Sequence, residues 1–235
     1  MFMKARIGKK ARLGRIKRML NMRDEHLANI DNIHVRLQQG NNKTGRECYT
    51  VSLIPIVDCS NCKECKVYCY DINNVCWQPC VMNDRARNSA IHKIDPERYW
   101  SEISLQVKSN YVTQLRINVG GDLTYDDFKY INEMAKENPY TDFLFFTKSH
   151  QEINDYIDNY GMFVSNVKAI WSVFEGQTVK NKHNLPEAHI LKEDGTTTAP
   201  EFGSYFCGGN CSRCHMYKEG CWVLKLGESV IFKAH

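Results

Sequence analysis

Apolar and polar positions along the chain follow two rhythms. Tyr49-Thr-Val-Ser-Leu-Ile-Pro-Ile-Val57, Gln114-Leu-Arg-Ile-Asn-Val119, Asp142-Phe-Leu-Phe-Phe-Thr147 and Val167-Lys-Ala-Ile-Trp-Ser-Val-Phe174 are β-branched or aromatic runs of strand length. Between them, apolar residues recur at helical spacing. Asp95-Pro96 supplies an N-cap and a first-turn proline ahead of Tyr99, Ile103 and Val107. Thr124 with Asp127 makes a capping-box start for a helix whose face is Phe128, Ile131, Met134 and Ala135. Ser149 with Glu152 predicts a cap before Ile153 and Ile157. Strand, loop and helix thus repeat three times at intervals of about 30 residues, which predicts right-handed βαβ units and a parallel sheet. Residues 177–206 read as irregular apart from Ala188-His-Ile-Leu191, and Glu228-Ser-Val-Ile-Phe-Lys233 predicts a last strand. The predicted class is α/β, and such folds gather their chemistry on the loops at the carboxyl ends of the strands.

Composition narrows the function classes. The 235 residues are 43% hydrophobic and 25% charged, which is globular and neither fibrous nor disordered. No apolar run approaches the roughly 18 residues of a membrane span, so no integral membrane role is expected. The net charge of +4 conceals an asymmetry. Lys4, Arg6, Lys9, Lys10, Arg12, Arg15, Lys17 and Arg18 fall within the first 20 residues, which hold no acid. The rest of the chain is mildly acidic. Residues 1–40 are therefore read as a basic arm and 41–235 as the α/β domain. Those eight bases suit the phosphate backbone of nucleic acid, with a solvated or partner-binding tail as the plain alternative.

Eleven cysteines are the unusual feature. The number is odd, most fall in two tight clusters, and no secretory leader precedes them. Metal or iron–sulfur ligation in the reducing cytoplasm explains this better than a disulfide scaffold. Cys59, Cys62, Cys65 and Cys69 form a C-x2-C-x2-C-x3-C run, the spacing of ferredoxin cysteines that hold 4Fe–4S clusters. Tyr70 stands where those ferredoxins have proline, and zinc could use the same four thiolates. Cys207, Cys211, Cys214 and Cys221 form a second group with interspersed glycines, and a structural zinc knuckle is an open reading there, with His215 as a substitute ligand. Its C-x3-C-x2-C order matches radical S-adenosylmethionine enzymes, but those place the motif after the first strand, so the match is read as accidental. Two arrangements stay open: one shared metal site, reached if the last strand returns beside the first, or two self-contained sites. Cys48 reads as a small buried hydrophobe, and packing is the default for Cys76 and Cys80.

Asn42-Lys-Thr-Gly45, Thr50–Pro55, Cys69-Tyr70, Leu115-Arg-Ile-Asn-Val-Gly-Gly-Asp122, Phe146-Thr-Lys-Ser149, Trp171-Ser-Val-Phe174, the pair Cys211 and Cys214, and Cys221-Trp222 resemble the phage gene-product-88 family over about residues 40–235. The resemblance implies an architecture similar to the radical S-adenosylmethionine superfamily: a parallel sheet curved into a partial, incomplete TIM-like barrel with its metal centre at the carboxyl rim. It also implies a cofactor-contacting role for Gly120, Gly121 and Asp122, which match that superfamily's glycine-glycine-acid segment. The cysteines depart from it, because a fourth thiolate would occupy the iron that S-adenosylmethionine must reach.

The expected function is that of a phage protein in the host cytoplasm, holding one or two 4Fe–4S clusters and acting on or near nucleic acid. Redox activity is one form of it. The alternative is a zinc-stabilised nucleic-acid-binding module without redox chemistry. No residue identifies a substrate or a catalytic base; Asp122, Lys148 and Glu175 are rim candidates, and whether the protein is an enzyme stays open.

Overall fold

In a computed structural model of the chain, residues 8–40, 44–62, 69–174 and 176–233 are described. Among them, seven strands form one parallel sheet: β1 (Tyr49–Val51), β2 (Gln114–Ile117), β3 (Asp142–Thr147), β4 (Val167–Ser172), β5 (Glu187–Leu191), β6 (Ser204–Phe206) and β7 (Ser229–Lys233). The spatial order is β1-β2-β3-β4-β5-β7-β6, with every pairing parallel and the sheet not closed. The last strand therefore lies between β5 and β6 and does not pair with β1. The expected pairing of the last strand with the first is not made, and the second cysteine group reaches the residues ahead of β1 through Ser212 instead, which is bonded to Thr44 and Cys48.

The helices are α1 (Lys9–Leu27), α2 (Tyr70–Asn74), α3 (Pro79–Ile94), α4 (Pro96–Ser109), α5 (Tyr125–Glu137), α6 (His150–Tyr160) and the short α7 (Cys211–Met216). The expected caps of α4 and α5 form: Asp95 accepts from Arg98 N, and Thr124 and Asp127 make a reciprocal capping box. Ser149 precedes α6 without a side-chain cap, because its hydroxyl is used elsewhere. None of the described helices is long and apolar enough to cross a membrane.

Side-chain alternation along the strands divides the core into two faces. Leu115, Ile117, Phe143, Phe145, Val167, Ala169 and Trp171 pack with α4, α5 and α6. The intervening residues, Leu144, Ile170, Ala188 and Val230, pack on the other face with Cys214, Cys221, Trp222 and Leu224. One face of the sheet is thus covered by helices and the other by the second cysteine group.

Three sequence expectations change. The run Tyr49–Val57 is strand only to Val51. Pro55 opens a turn in which Asp58 N donates to Ile54 O (3.0 Å), Ile54 N donates to the Asp58 carboxylate (2.8 Å) and Ile56 takes φ 71°, a costly value for a β-branched residue. The basic arm is not a loose tail. Over Lys9–Leu27 it is a helix that places fully buried Met19 against Ile54, Ile72, Cys76 and Met82, while Arg15 donates to the carbonyls of Ile72 and Asn73 (2.6 and 3.0 Å). Removing it would open that cluster, so the reading as a solvated tail does not hold for Lys9–Leu27. The third change is in 177–206, where β5 and β6 both join the sheet.

Candidate metal centres

The strand-end rim is built from three loops stitched together. After β1, the Ile54–Asp58 turn presents Cys59, Ser60 and Cys62. Asp122, on the loop after β2, donates its N–H to Asp58 O (2.8 Å). Ser60 Oγ lies 3.2 Å from Ser149 Oγ on the loop after β3. Asp58 is the clamp that sequence reading missed: its carboxylate closes the turn, lies 3.7 Å from Arg23 of α1, and burial raises its pKa. Cys59, Cys62 and Cys69 are half-buried; Cys65 lies outside the described residues, as do Lys4, Arg6 and Glu175.

Gly120, Gly121 and Asp122 do sit at this rim, each with a packing reason. A Cβ on Gly120 would fall 2.1 Å from the Asp71 carboxylate, and one on Gly121, at φ 87°, 2.7 Å from Leu53 Cβ. That close approach lets Asp71 stay buried against Arg85, whose Nη2 donates to it at 2.6 Å. The Asp122 carboxylate accepts from Leu123 N, Thr147 Oγ1 and Lys148 N at 2.7–2.9 Å. Burial raises its pKa against the attraction of Lys148. Its oxygens are therefore committed to holding the second and third loops together.

His150 closes the rim's third loop. Its ring stacks on Trp171 at 3.9 Å and 4°, its Nε2 donates to Ser172 O (3.0 Å), and burial lowers its pKa to about 4.

The second cysteine group is arranged differently. Cys207 N donates to Ile231 O of β7 (2.9 Å), and Asn210 caps α7 by accepting from Arg213 N (2.9 Å). The helix then sets Cys211 and Cys214 one turn apart. Cys207, Cys211, Cys214 and Cys221, with Tyr205, Asn210 and Trp222, line one cavity of about 10 Å³. Gly209 N donates to Cys207 Sγ (3.4 Å), Arg116 Nη1 donates to Cys211 Sγ (3.8 Å), and Tyr205 Oη lies 3.2 Å from Cys221 Sγ. Burial pushes the Cys221 thiol up to about 12 and also raises Cys214. Among the described residues, no three His, Cys, Asp or Glu side chains are placed to hold a metal ion.

The remaining candidates fall into place around these two groups. Cys48 is fully buried, as expected, but stands beside Cys211, whose sulfur, together with burial, raises its pKa far above the usual thiol range. His215 does not join the cavity; its Nε2 is bonded to Asp142 (2.7 Å). Cys76 packs beside Met19 and donates to Asp71 (3.4 Å), while Cys80 is exposed. None of the described cysteines of the first group lines the cavity of the second. Arg116 is a residue that sequence reading passed over, although an arginine within the apolar run Leu115-Arg-Ile117 was a visible anomaly.

A parallel α/β sheet that carries one group of cysteines on its strand-end rim and another against its face defines a cysteine-rich α/β protein. Residues 26–217 match the gene product 88 family, and the chain belongs to that family. The match begins within α1 and ends before Cys221 and Trp222. No curated protein and no solved structure matches the chain.

Proposed function

We propose that this phage-family protein holds an iron–sulfur centre at the strand-end rim, with Cys59, Cys62, Cys65 and Cys69 as its ligands. The carrying observation is that Cys59 and Cys62, which open the run, follow β1 on a turn clamped to the loops after β2 and β3 through Asp58 and Ser60. The donor set is soft sulfur throughout, which suits iron–sulfur ligation, and the spacing is that of 4Fe–4S ferredoxins. With four thiolates the centre would be coordinatively closed. Its chemistry would then be electron transfer or structural support, in the reducing host cytoplasm. The commitment of Asp122 within the protein favours this over an S-adenosylmethionine reaction.

The partial-barrel part of the reading is supported by chain length. Cys207 N is bonded to β7, while Ser212 N donates to Thr44 O (2.8 Å) and Ser212 Oγ accepts from Cys48 N (3.0 Å), just ahead of β1. Five residues span at most about 18 Å. A flat sheet would separate β7 from β1 by five spacings, about 24 Å. A sheet curved around the second cysteine group reconciles the two lengths.

A second reading, contact with nucleic acid, is favoured by the exposure of Lys9, Lys10, Lys17 and Arg18 on docked α1. Anaerobic purification after expression with ample iron tests the main proposal. Brown protein with iron and near-equal acid-labile sulfide, lost when Cys59 and Cys62 become serine, is the expected result. Colourless protein holding only zinc overturns it and leaves the zinc-stabilised module.

A further inference from the structure

We propose that Cys207, Cys211, Cys214 and Cys221 form a separate tetrathiolate site for one soft divalent ion of the zinc class, with Arg116 as its counter-charge. The proposal does not depend on the rim centre.

Four observations carry it. The four sulfurs line a single cavity of about 10 Å³. That volume is close to one water-sized sphere. That space suits a single ion once the four thiols, which do not yet stand as ligands, close on it, whereas a four-iron core is several times larger. Second, donors already face the sulfurs: the Gly209 amide at Cys207, Arg116 at Cys211 and the Tyr205 hydroxyl at Cys221. Such second contacts stabilise anionic ligands and fix their direction. Third, the backbone makes room. Gly220 has φ 66°, and a Cβ there would lie 2.5 Å from Tyr205 Oη and 3.2 Å from Cys214 Sγ.

The fourth observation separates a metal site from mere packing of cysteines. Neutral thiols pack as small hydrophobes and call for no cation. Here the side chain of Arg116 leaves β2 on the cysteine face, lies over the Phe146 ring at 5.0 Å and points its Nη1 at sulfur, with its Nε shielded and unpartnered. A guanidinium on an apolar face is costly unless negative charge meets it. One Zn²⁺ taken up by four thiols releases four protons and leaves a complex of charge −2, which meets that need. Cys48 lies behind Cys211, outside the cavity lining, and is not one of the ligands.

The test uses the full chain with Cys59, Cys62, Cys65 and Cys69 replaced by serine, so that any metal retained is not the rim's. Purified protein should hold one zinc per chain, and Co²⁺ exchanged for it should give the intense visible bands of tetrahedral tetrathiolate cobalt. If that variant does not fold, as judged by its thermal melt, Co²⁺ titration of the iron-stripped wild-type chain is compared with the same titration of Cys214→Ser in the wild-type background. The rim thiols are common to both, so the difference spectrum belongs to the face site. Cys214→Ser should abolish the tetrathiolate spectrum and Cys48→Ser should keep it. Arg116→Met should weaken metal retention against a competing chelator by about 10- to 100-fold, with Arg116→Lys recovering much of it. A folded chain that takes up neither ion, a cobalt spectrum with fewer than four thiolates, or iron with sulfide at these cysteines overturns the site. Equal retention by Arg116→Met and wild type overturns the counter-charge.

Discussion

Cys207–Cys221 and Cys59–Cys69 each bring four thiols into a short stretch of sequence, but the former group is laid against a sheet face and the latter opens with Cys59 and Cys62 on the loop after β1. Cys214 and Cys221 are buried among Leu144, Ile170 and Val230, so their positions are set by core packing. Cys59 and Cys62 are half-buried, and the turn that carries them is held by the Asp58 carboxylate, which accepts from Ile54 N, and by the contact of Ser60 Oγ with Ser149 Oγ. Apolar packing acts over many atoms, whereas a few hydrogen bonds contribute about 1 kcal/mol each. The face site is therefore expected to stay in shape without a guest. The rim site is expected to owe more of its order to whatever it binds. Similar cysteine spacing does not imply similar stiffness.

The largest effect should come from Trp222→Ala. Trp222 is 6% exposed, donates Nε1–H to Cys211 O (3.0 Å) and stands edge-on to His215. Its loss should cost about 3–5 kcal/mol in urea unfolding, and should make Cys211 and Cys221 accessible to a thiol reagent while Cys59 and Cys62 react as before. Uniform exposure of all these thiols would show that the two regions are not separate packing units. A smaller effect is expected from Asp122→Asn. The amide offers one acceptor oxygen where the carboxylate serves Leu123 N, Thr147 Oγ1 and Lys148 N, and its NH2 must face a donor. A loss of about 1–3 kcal/mol follows, with faster amide exchange at the rim and none at the cysteine face. An unchanged exchange rate at Lys148 and Ser149 would remove Asp122 from its role as the pin between loops.

Much of the fold could be read from the chain because its signals are local. The Thr124–Asp127 box, the Asp95-Pro96 start and the apolar runs 142–147 and 167–172 each reveal themselves within a few residues. Helix α3 was not readable, since its buried side includes Arg85 and Asn88, polar residues whose partners Asp71, Arg36 and Ser52 lie outside the helix. Docking of α1 was equally hidden, as Met19 is its one fully buried residue among bases that look like a solvated tail. At the candidate sites, spacing identified both cysteine groups. It could not show that Gly120 makes room for Asp71, or that Arg116 turns toward sulfur, because those reasons sit on other elements.

The smallest effect concerns pH and separates the two regions by chemistry. His150 stacks between Trp171 and Phe174 at the rim, and burial lowers its pKa from 6.5 to about 4 while Ser172 O holds the neutral ring. A group whose pKa is depressed on folding lends stability that is fully present above its unfolded pKa and is lost as pH falls through the folded one. For His150 that window runs from about 6.5 down to about 4. Between pH ~7 and ~5.5 the protein should lose about 1 kcal/mol through this residue. His150→Phe keeps a ring in the stack and removes the proton-binding site. It should start less stable, having lost the bond to Ser172 O, but its stability should fall less steeply over the same interval. Hydrogen exchange should locate the difference in α6 and not in α7, which carries Cys211 and Cys214. Parallel pH slopes for the variant and the wild type would exclude His150 as the titrating group and leave the rim no more acid-sensitive than the cysteine face.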